Sequence, residues 1–266
     1  MAALTTSISE FLTFLRDKSD PRTVNWMFVG NPLPLFAILL FYLYYVKIEG
    51  PRFMKNRKPY DLNSVIRVYN IGQMFACVYL FYSILTSGWT DGQITLGCSP
   101  PVLSYDPQRM RMASLLWWTL LLKMVELLET CFFVWRKKFN QVSFLHVYHH
   151  FSTLVLVWMG CAYAPGGMAT FPVMINCLVH VIMYAYYLLA NMGPKVQKKI
   201  NKLKPYLTTI QMVQFAILLI HMLPAFKESC AMPKIFPYYY SVTVLMIFYL
   251  FYDFYNKSYK GKSHKQ

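Results

Sequence analysis

The feature that most constrains the fold is a series of seven long apolar runs separated by short polar segments. A helix needs about 20 mostly apolar residues to cross a lipid bilayer. The runs reach this length near residues 28–46, 66–86, 112–135, 145–163, 168–190, 206–224 and 235–255. Hydrophobic residues make up 56% of the 266-residue chain and charged residues only 14%, which excludes an ordinary soluble domain. We therefore predict an all-α polytopic membrane protein with seven transmembrane helices.

The basic residues predict how these helices are oriented. Of the 26 lysines and arginines, 18 lie in polar segments that fall on one side of the chain's path, namely 47–67, 136–138, 191–204 and the tail after Asn256. Because basic loops face the cytosol, we expect a lumenal N-terminus and a cytosolic C-terminus. The net charge of +15 is divided among these loops and forms no continuous basic face, so nucleic acid is not an expected partner.

The sequence predicts a single bundle of helices. It has no repeat at a fixed period and no linker that would separate a second domain. We expect a lumenal N-terminal segment over residues 1–27, a seven-helix domain over 28–255 and a cytosolic basic tail over 256–266.

The six cysteines divide by location. Only Cys98 and Cys230 fall in loops, and the predicted topology places both loops on the lumenal side. That compartment is oxidising, so we predict a disulfide between them. The other cysteines lie within spans, where a small buried apolar side chain is expected; they are Cys77, Cys131, Cys161 and Cys177.

Four consecutive spans carry polar side chains at helical spacing. Ionisable groups are costly inside a bilayer, so they face the bundle interior and indicate function. The stripes occur in the segments KMVELLET, HVYHH, NCLVHVIMYAYY and TTIQMVQF. Their polar members are Lys123, Glu126, Glu129 and Thr130, then His146, His149 and His150, then Asn176, His180, Tyr184 and Tyr187, then Thr208, Gln211 and Gln214.

The stripes converge in the cytosolic half of the membrane. At a rise of about 1.5 Å per residue, Glu129, His149 and Gln211 lie roughly 8–12 Å from the basic loop at their own helix end, and Lys123 and His180 lie about 20 Å from it. The lumenal halves of the same helices are apolar and aromatic. We therefore expect a cavity for an amphiphile such as acyl-CoA, with its charged head at the cytosolic mouth and its hydrocarbon tail toward the lumen.

Several chemistries fit the histidines. The HxxHH spacing belongs to the histidine boxes of membrane di-iron desaturases and hydroxylases, but those enzymes have about eight histidines in three boxes, and this chain has six in all. We therefore predict no metal site. Satisfied structural histidines are a second alternative, and a receptor or transporter is a third, disfavoured because the polar groups cluster on one side only. Three histidines opposite carboxylates favour acid/base or nucleophilic chemistry at a carbonyl.

The four segments also carry a resemblance to a known family. In order along the chain they match the patterns KxxExxDT, HxxHH, HxxMYxYY and TxxQxxQ. Over residues 25–258 the chain resembles the very-long-chain fatty acid elongases, which are membrane-bound 3-ketoacyl-CoA synthases of the endoplasmic reticulum. One position departs from the family pattern, because Glu129 stands where the family has aspartate. The charge is kept and the side chain is one methylene longer.

The resemblance implies the condensing step of fatty acid elongation, an acyltransferase reaction without a cofactor. A long-chain acyl-CoA and malonyl-CoA would give 3-ketoacyl-CoA, carbon dioxide and CoA. Helices 2 to 7 would enclose a substrate tunnel open to the cytosol and closed toward the lumen. Implied partners are the lipid bilayer, the reductase and dehydratase of the elongation cycle, and a second copy in a homodimer. The tail KGKSHKQ is similar to dilysine retrieval signals, with Lys262 and His264 replacing two lysines, and an endoplasmic reticulum membrane location is expected.

The chemistry assigns roles to these residues. We expect His149 to attack the acyl thioester and His180 to act as proton donor or oxyanion partner; a general-base role for His149 and a nucleophilic Cys131 are the alternatives. Residues expected to support or orient the histidines are His146, His150, Glu126, Glu129 and Lys123. Residues expected to bind substrate polar groups are Asn176, Tyr184, Tyr187, Gln211 and Gln214. Residues expected to bind CoA phosphates are Lys137, Lys138, Lys202 and Lys204.

Overall fold

The computed structural model describes the backbone of residues 2–260 and the side chains of residues 9–260. All regular structure in this part of the chain is helical, which confirms the predicted all-α class. The α-helices are α1 (Ala2–Asp17), α2 (Leu33–Tyr44), α3 (Gly50–Met54), α4 (Asn63–Ile84), α5 (Pro107–Glu126), α6 (Leu128–Trp135), α7 (Phe144–Tyr163), α8 (Thr170–Ala190), α9 (Pro194–Ile200), α10 (Lys204–Met222) and α11 (Ile235–Tyr255).

Short helical turns connect or extend these helices. The π-helical turns follow α2, α4 and α11, at Tyr45–Glu49, Leu85–Trp89 and Asn256–Lys260. The 3-10 turns are Phe139–Gln141, Gly167–Ala169, Asn201–Leu203 and Leu223–Phe226. The expected retrieval signal at Lys262 and His264 lies outside the described residues.

Five helical segments are long and apolar enough to cross a membrane, namely Leu33–Met54, Asn63–Trp89, Gly167–Ala190, Pro194–Phe226 and Ile235–Lys260. They correspond to the first, second, fifth, sixth and seventh predicted spans. The sixth is longer than predicted because the basic segment before it forms α9. The other two predicted spans coincide with α5–α6, which carries charged side chains, and with α7, which carries three histidines. The chain is therefore a multi-pass membrane protein, and the count of seven spans stays a prediction.

Side-chain caps fix where the two polar helices begin. The Asp106 carboxylate accepts hydrogen bonds from the backbone N–H groups of Gln108 and Arg109, at 3.1 and 3.0 Å, and Pro107 opens α5. The Ser143 hydroxyl accepts from the backbone N–H of His146 at 3.2 Å at the start of α7. Both caps satisfy N–H groups that have no partner within the helix. The cap on α7 therefore sets the register of the histidines.

Six helices pack into a closed ring. Around it, α4 contacts α8, α8 contacts α10, α10 contacts α11, α11 contacts α7, α7 contacts α5, and α5 returns to α4. The segment formed by α2 and α3 lies beside this ring, where α3 packs against α6. The apolar core runs through both parts. The ring brings the four polar stripes of the sequence to face one another.

One end of the bundle, here called the disulfide end, is held together by loop contacts. A disulfide joins Cys98 to Cys230, whose Cα atoms are 5.7 Å apart. The buried Arg22 guanidinium pairs with Asp20 at 2.7 Å and also donates to the Val102 carbonyl at 2.8 Å. These contacts link the segment before α2 to the loop between α4 and α5, and that loop to the one between α10 and α11. The opposite end, called the basic end, carries the basic loops before α4, between α6 and α7, and between α8 and α10.

We predict that Cys98→Ser destabilises the protein by about 2–5 kcal/mol, because the bridge closes a long loop and removing it frees the unfolded chain. Thermal and denaturant unfolding in detergent would measure the loss, with Cys131→Ser, a free cysteine, as control. Alkylation followed by mass spectrometry should modify Cys98 and Cys230 only after reduction. Modification of both without reductant would contradict the bridge.

Candidate functional site

A buried ion pair lies at the centre of the ring. The Lys123 ammonium donates to both carboxylate oxygens of Glu126 at 2.9 Å and to the Asn176 side-chain carbonyl at 2.9 Å. Glu126 is 1% exposed and Lys123 6%. The spacing of three places both charges on one face of α5, and α8 supplies Asn176. Each charge is therefore compensated although both side chains are shielded from bulk solvent.

The same carboxylate reaches the histidine of α8. The Nδ1 atom of His180 lies 3.5 Å from the Glu126 Oε1 atom, and the His180 ring is buried. The Nδ1 atom makes no hydrogen bond among the described residues, but a carboxylate this close favours a proton on the nitrogen that faces it. Two of the four polar stripes thus meet at Lys123, Glu126, Asn176 and His180.

A second acidic group is held by two tyrosines. Tyr184 donates to Glu129 Oε1 at 2.5 Å, and Tyr69 donates to the same oxygen at 3.2 Å. The other oxygen, Oε2, lies 3.6 Å from His150 Nε2. Glu129 therefore connects α4 and α8 to the histidines of α7 despite the extra methylene that separates it from the family aspartate.

A third group of contacts ends at His146. Its Nε2 atom lies 3.0 Å from the Thr130 hydroxyl, which lies 2.8 Å from the hydroxyl of Tyr42 on α2. Tyr42 and Thr130 are both buried. His146 and His150, four residues apart, therefore turn toward α6, with ring centroids 4.4 Å from each other.

His149 occupies a different environment from its neighbours. It lines a cavity of about 80 Å³, together with Lys123 and Asn176. Its Nδ1 atom is buried and has no hydrogen-bond partner among the described residues. The ring packs edge-on against Phe251 of α11, at a centroid distance of 6.0 Å. His149 thus lines the cavity with one imidazole nitrogen uncommitted, whereas His146 and His150 already face partners.

Beyond His149 the cavity is lined mainly by apolar residues. Its lining includes Leu156, Val157, Pro172, Val173, Phe215, Leu218, Val244 and Ile247. Of the residues predicted to bind substrate, Asn176 and Gln214 line it. Gln211 instead points its amide toward Met183, at 3.7 Å, and Tyr187 is 39% exposed. The roles of these four residues stay predictions.

The predicted phosphate-binding lysines do not all lie together. Arg136, Lys138 and Lys204 all lie at the basic end and are called the cationic group below. Partial burial and the positive charges of Arg136 and Lys204 lower the pKa of Lys138. Lys137 instead donates a hydrogen bond to the Lys55 backbone carbonyl at 3.2 Å. Lys202 is exposed. Cationic side chains without an acidic partner are suited to binding phosphates.

A metal ion is one chemical option for part of the site. Glu129, His146 and His150 each offer a ligand atom, and these atoms lie within 4.8 Å of one another. Imidazole and carboxylate ligands suit several transition metals. The Glu129 and His146 side chains also bond Tyr69, Tyr184 and Thr130, as described above, so these contacts satisfy polar atoms of the group without a cation.

Four polar residues of the site or its surroundings escaped the sequence analysis. Tyr42 and Tyr69 contact the site directly, and Asn70 and Gln73 are buried on α4. The rule that polar side chains within spans face the interior would have selected Asn70 and Gln73, had it been applied to the second span. Nothing in the sequence distinguishes Tyr42 from the many other tyrosines of the spans.

We predict that Lys123→Met lowers the free energy of unfolding by about 3–5 kcal/mol, because it leaves the Glu126 carboxylate buried without its cation. Denaturant unfolding in detergent would measure the loss, with the exposed Lys195 changed to Met as control. The double variant Lys123→Met, Glu126→Leu should lose less than the sum of the single variants. A loss no greater than that of Lys195→Met would contradict the prediction.

Comparison with known proteins assigns the chain to a family. Residues 27–266 match the family described as ELO: GNS1/SUR4 family. Very long chain fatty acid elongase 7 of Drosophila melanogaster is 43% identical over 250 residues, which cover 94% of this chain and 75% of that protein. Very long chain fatty acid elongase 1 of Homo sapiens is 40% identical over 253 residues, covering 92% and 88%. The resemblance found in the four motifs is confirmed, and the chain belongs to the ELO family of very long chain fatty acid elongases.

Proposed function

We propose that the protein catalyses the condensing step of fatty acid elongation, in which long-chain acyl-CoA and malonyl-CoA give 3-ketoacyl-CoA, carbon dioxide and CoA. Membership of the elongase family supports fatty acid elongation in general. The observation that carries the specific chemistry is that His149 lines a cavity which continues between apolar side chains, while its Nδ1 atom has no hydrogen-bond partner among the described residues. A nucleophile at the start of an apolar cavity suits an acyl thioester.

The first half-reaction would form an acyl-imidazole. An unprotonated His149 nitrogen attacks the thioester carbonyl, the C–S bond breaks, and CoA leaves as a thiol after taking a proton. His180 would stabilise the oxyanion or supply that proton, since the Glu126 carboxylate lies 3.5 Å from its Nδ1 atom and favours a protonated ring. The Glu126–Lys123 pair keeps a fixed charge arrangement beside these steps.

In the second half-reaction malonyl-CoA would lose carbon dioxide, and the electron pair left on its α-carbon attacks the acyl-imidazole carbonyl. A C–C bond forms, the C–N bond to His149 breaks, and 3-ketoacyl-CoA leaves. Release of carbon dioxide drives the step, so the proposal needs no metal and no cofactor. The side-chain amides of Asn176 and Gln214 line the cavity and are suited to hydrogen-bond the carbonyls.

Substrate would enter from the basic end. We propose that α5–α6 and α7 also cross the bilayer, giving seven spans, and that the ring of six helices forms a tunnel closed at the disulfide end. The cationic group of Arg136, Lys138 and Lys204 would hold CoA phosphates. The 80 Å³ cavity has room for only about three water molecules, so the helices and side chains must move apart to admit a long chain.

The cellular setting follows from the same reaction. We propose an endoplasmic reticulum location with a lumenal N-terminus and a cytosolic C-terminus, which places the basic end in the compartment that supplies CoA esters. A reductase and a dehydratase would process the 3-keto product, and a homodimer is the proposed assembly. The proposed domain limits remain 1–27, 28–255 and 256–266.

We predict that His149→Ala abolishes 3-ketoacyl-CoA formation and that His180→Ala slows it by roughly 100- to 10,000-fold. Purified protein in detergent would receive a series of acyl-CoAs and labelled malonyl-CoA, with product followed by mass spectrometry. Tyr148→Phe, beside His149 in sequence and packed on Phe144, serves as the control and should retain activity. No product from any acyl-CoA, together with stoichiometric bound iron, would instead favour a histidine-box oxygenase.

We predict that the wild-type protein gains one acyl group per chain when incubated with acyl-CoA without malonyl-CoA, and releases CoA in the same amount. Intact-protein mass spectrometry would detect the adduct, and added malonyl-CoA should discharge it as product. Cys131→Ser should retain the adduct and His149→Ala should lose it. An active enzyme that never becomes acylated would exclude the covalent route and leave His149 as a general base.

A further inference from the structure

A chain of hydroxyl groups connects the helix beside the ring to the histidine cluster. Tyr42 lies on α2, and its hydroxyl is 2.8 Å from the hydroxyl of Thr130 on α6. The Thr130 hydroxyl is in turn 3.0 Å from Nε2 of His146 on α7. Tyr42 is 4% exposed and Thr130 is completely buried. The contacts therefore run through the protein interior, where each hydroxyl hydrogen needs an acceptor within the protein.

The geometry fixes the direction of both hydrogen bonds. Thr130 is the hydrogen-bond partner of the Tyr42 hydroxyl, and no other partner of that hydroxyl occurs among the described residues. Tyr42 must donate to Thr130, because the reverse arrangement would leave the buried phenolic hydrogen without an acceptor. The Thr130 hydrogen then has one remaining acceptor in the described structure, the Nε2 atom of His146.

This direction determines the tautomer of the imidazole. A ring nitrogen that accepts a hydrogen bond carries no proton, so the proton of neutral His146 lies on Nδ1. We propose that Tyr42 is a positioning residue that holds His146 in the Nδ1–H tautomer through the Thr130 hydroxyl. The α2 segment would thus have a role in the site although it lies outside the ring of helices.

The consequence for the reaction rests on the proposed function. His146 packs against His150 at a centroid distance of 4.4 Å, and His150 packs against His149 at 5.6 Å. A fixed tautomer at His146 presents a constant pattern of donors and acceptors to His150 and thereby to His149. Loss of the Tyr42 hydroxyl would allow His146 to exchange between tautomers, and the active arrangement would be only partly populated.

The first test is spectroscopic and does not depend on activity. Protein labelled with ¹⁵N-histidine is compared with Tyr42→Phe and Tyr45→Phe, and His146→Gln assigns the His146 signals. Tyr45 is a matched control because its hydroxyl also bonds across the helices, to Trp135 Nε1 at 2.7 Å, but does not contact a histidine. In the wild type and in Tyr45→Phe, we expect the ¹⁵N signals of His146 to show a protonated Nδ1 and an unprotonated Nε2. In Tyr42→Phe we expect signals averaged between the two tautomers. A protonated Nε2 in the wild type would overturn the proposal.

The second test measures condensation. Tyr42→Phe is expected to lower kcat by about 10- to 100-fold, the range for losing a group that orients a histidine, and Tyr45→Phe to leave it within about twofold of wild type. Thr130→Val should reproduce the loss and Thr130→Ser, which keeps the hydroxyl, should restore most of the activity. Thermal unfolding of all variants identifies any that are simply destabilised.

A double-variant comparison separates action through His146 from a general structural effect. Adding Tyr42→Phe to His146→Gln should cause no further loss of rate, because the group on which Tyr42 acts is already absent. Multiplicative losses would overturn the proposal. An active wild type with equal rates in Tyr42→Phe and Tyr45→Phe would also overturn it while leaving the proposed function intact. A wild type without condensing activity would instead refute the proposed function, and the ¹⁵N result would still decide the tautomer.

Discussion

The arrangement of the bundle depends on how two opposite charges are accommodated in an apolar interior. Lys123 and Glu126 are almost fully buried, and each would be strongly destabilising alone. They form a pair because they lie three residues apart on α5, and Asn176 of α8 takes a third hydrogen bond from the ammonium. This network therefore requires α5 and α8 to approach at one depth. The carboxylate that compensates Lys123 also faces His180, so the interaction that makes burial tolerable also places a negative charge beside a residue of the proposed catalytic site.

The α6 helix has a comparable role on the other side of the histidines. It carries Glu129 and Thr130 as consecutive residues, and each of them lies between tyrosine and histidine side chains. Glu129 links Tyr69 and Tyr184 to His150, and Thr130 links Tyr42 to His146. Two of the three histidines of HVYHH are thus held from outside the cavity. The remaining one, His149, borders it with a free nitrogen.

The presence or absence of a polar partner thus gives neighbouring histidines different chemical properties. A histidine whose nitrogens are committed to hydrogen bonds has a fixed orientation and tautomer, whereas an unpaired nitrogen beside a cavity can meet a substrate atom. The apolar remainder of the cavity lining suits a hydrocarbon chain. The proposed condensation uses both properties, since it needs one nucleophile and a surrounding group that does not compete for the acyl carbon.

Sequence alone determined the class of the fold and most of the candidate site. Apolar runs predicted helices that cross a bilayer, and polar residues at helical spacing selected Lys123, Glu126, His149 and His180, because both patterns follow from local geometry. The tertiary structure decided which of these residues touch. In the folded protein Lys123 donates a hydrogen bond to Asn176, and two tyrosines donate hydrogen bonds to Glu129. His149 lines the cavity, whereas His146 does not. The tertiary structure also brought Tyr42 to the site, which no local pattern could indicate, because residues 88 positions apart along the chain meet only after α2 has packed against the bundle.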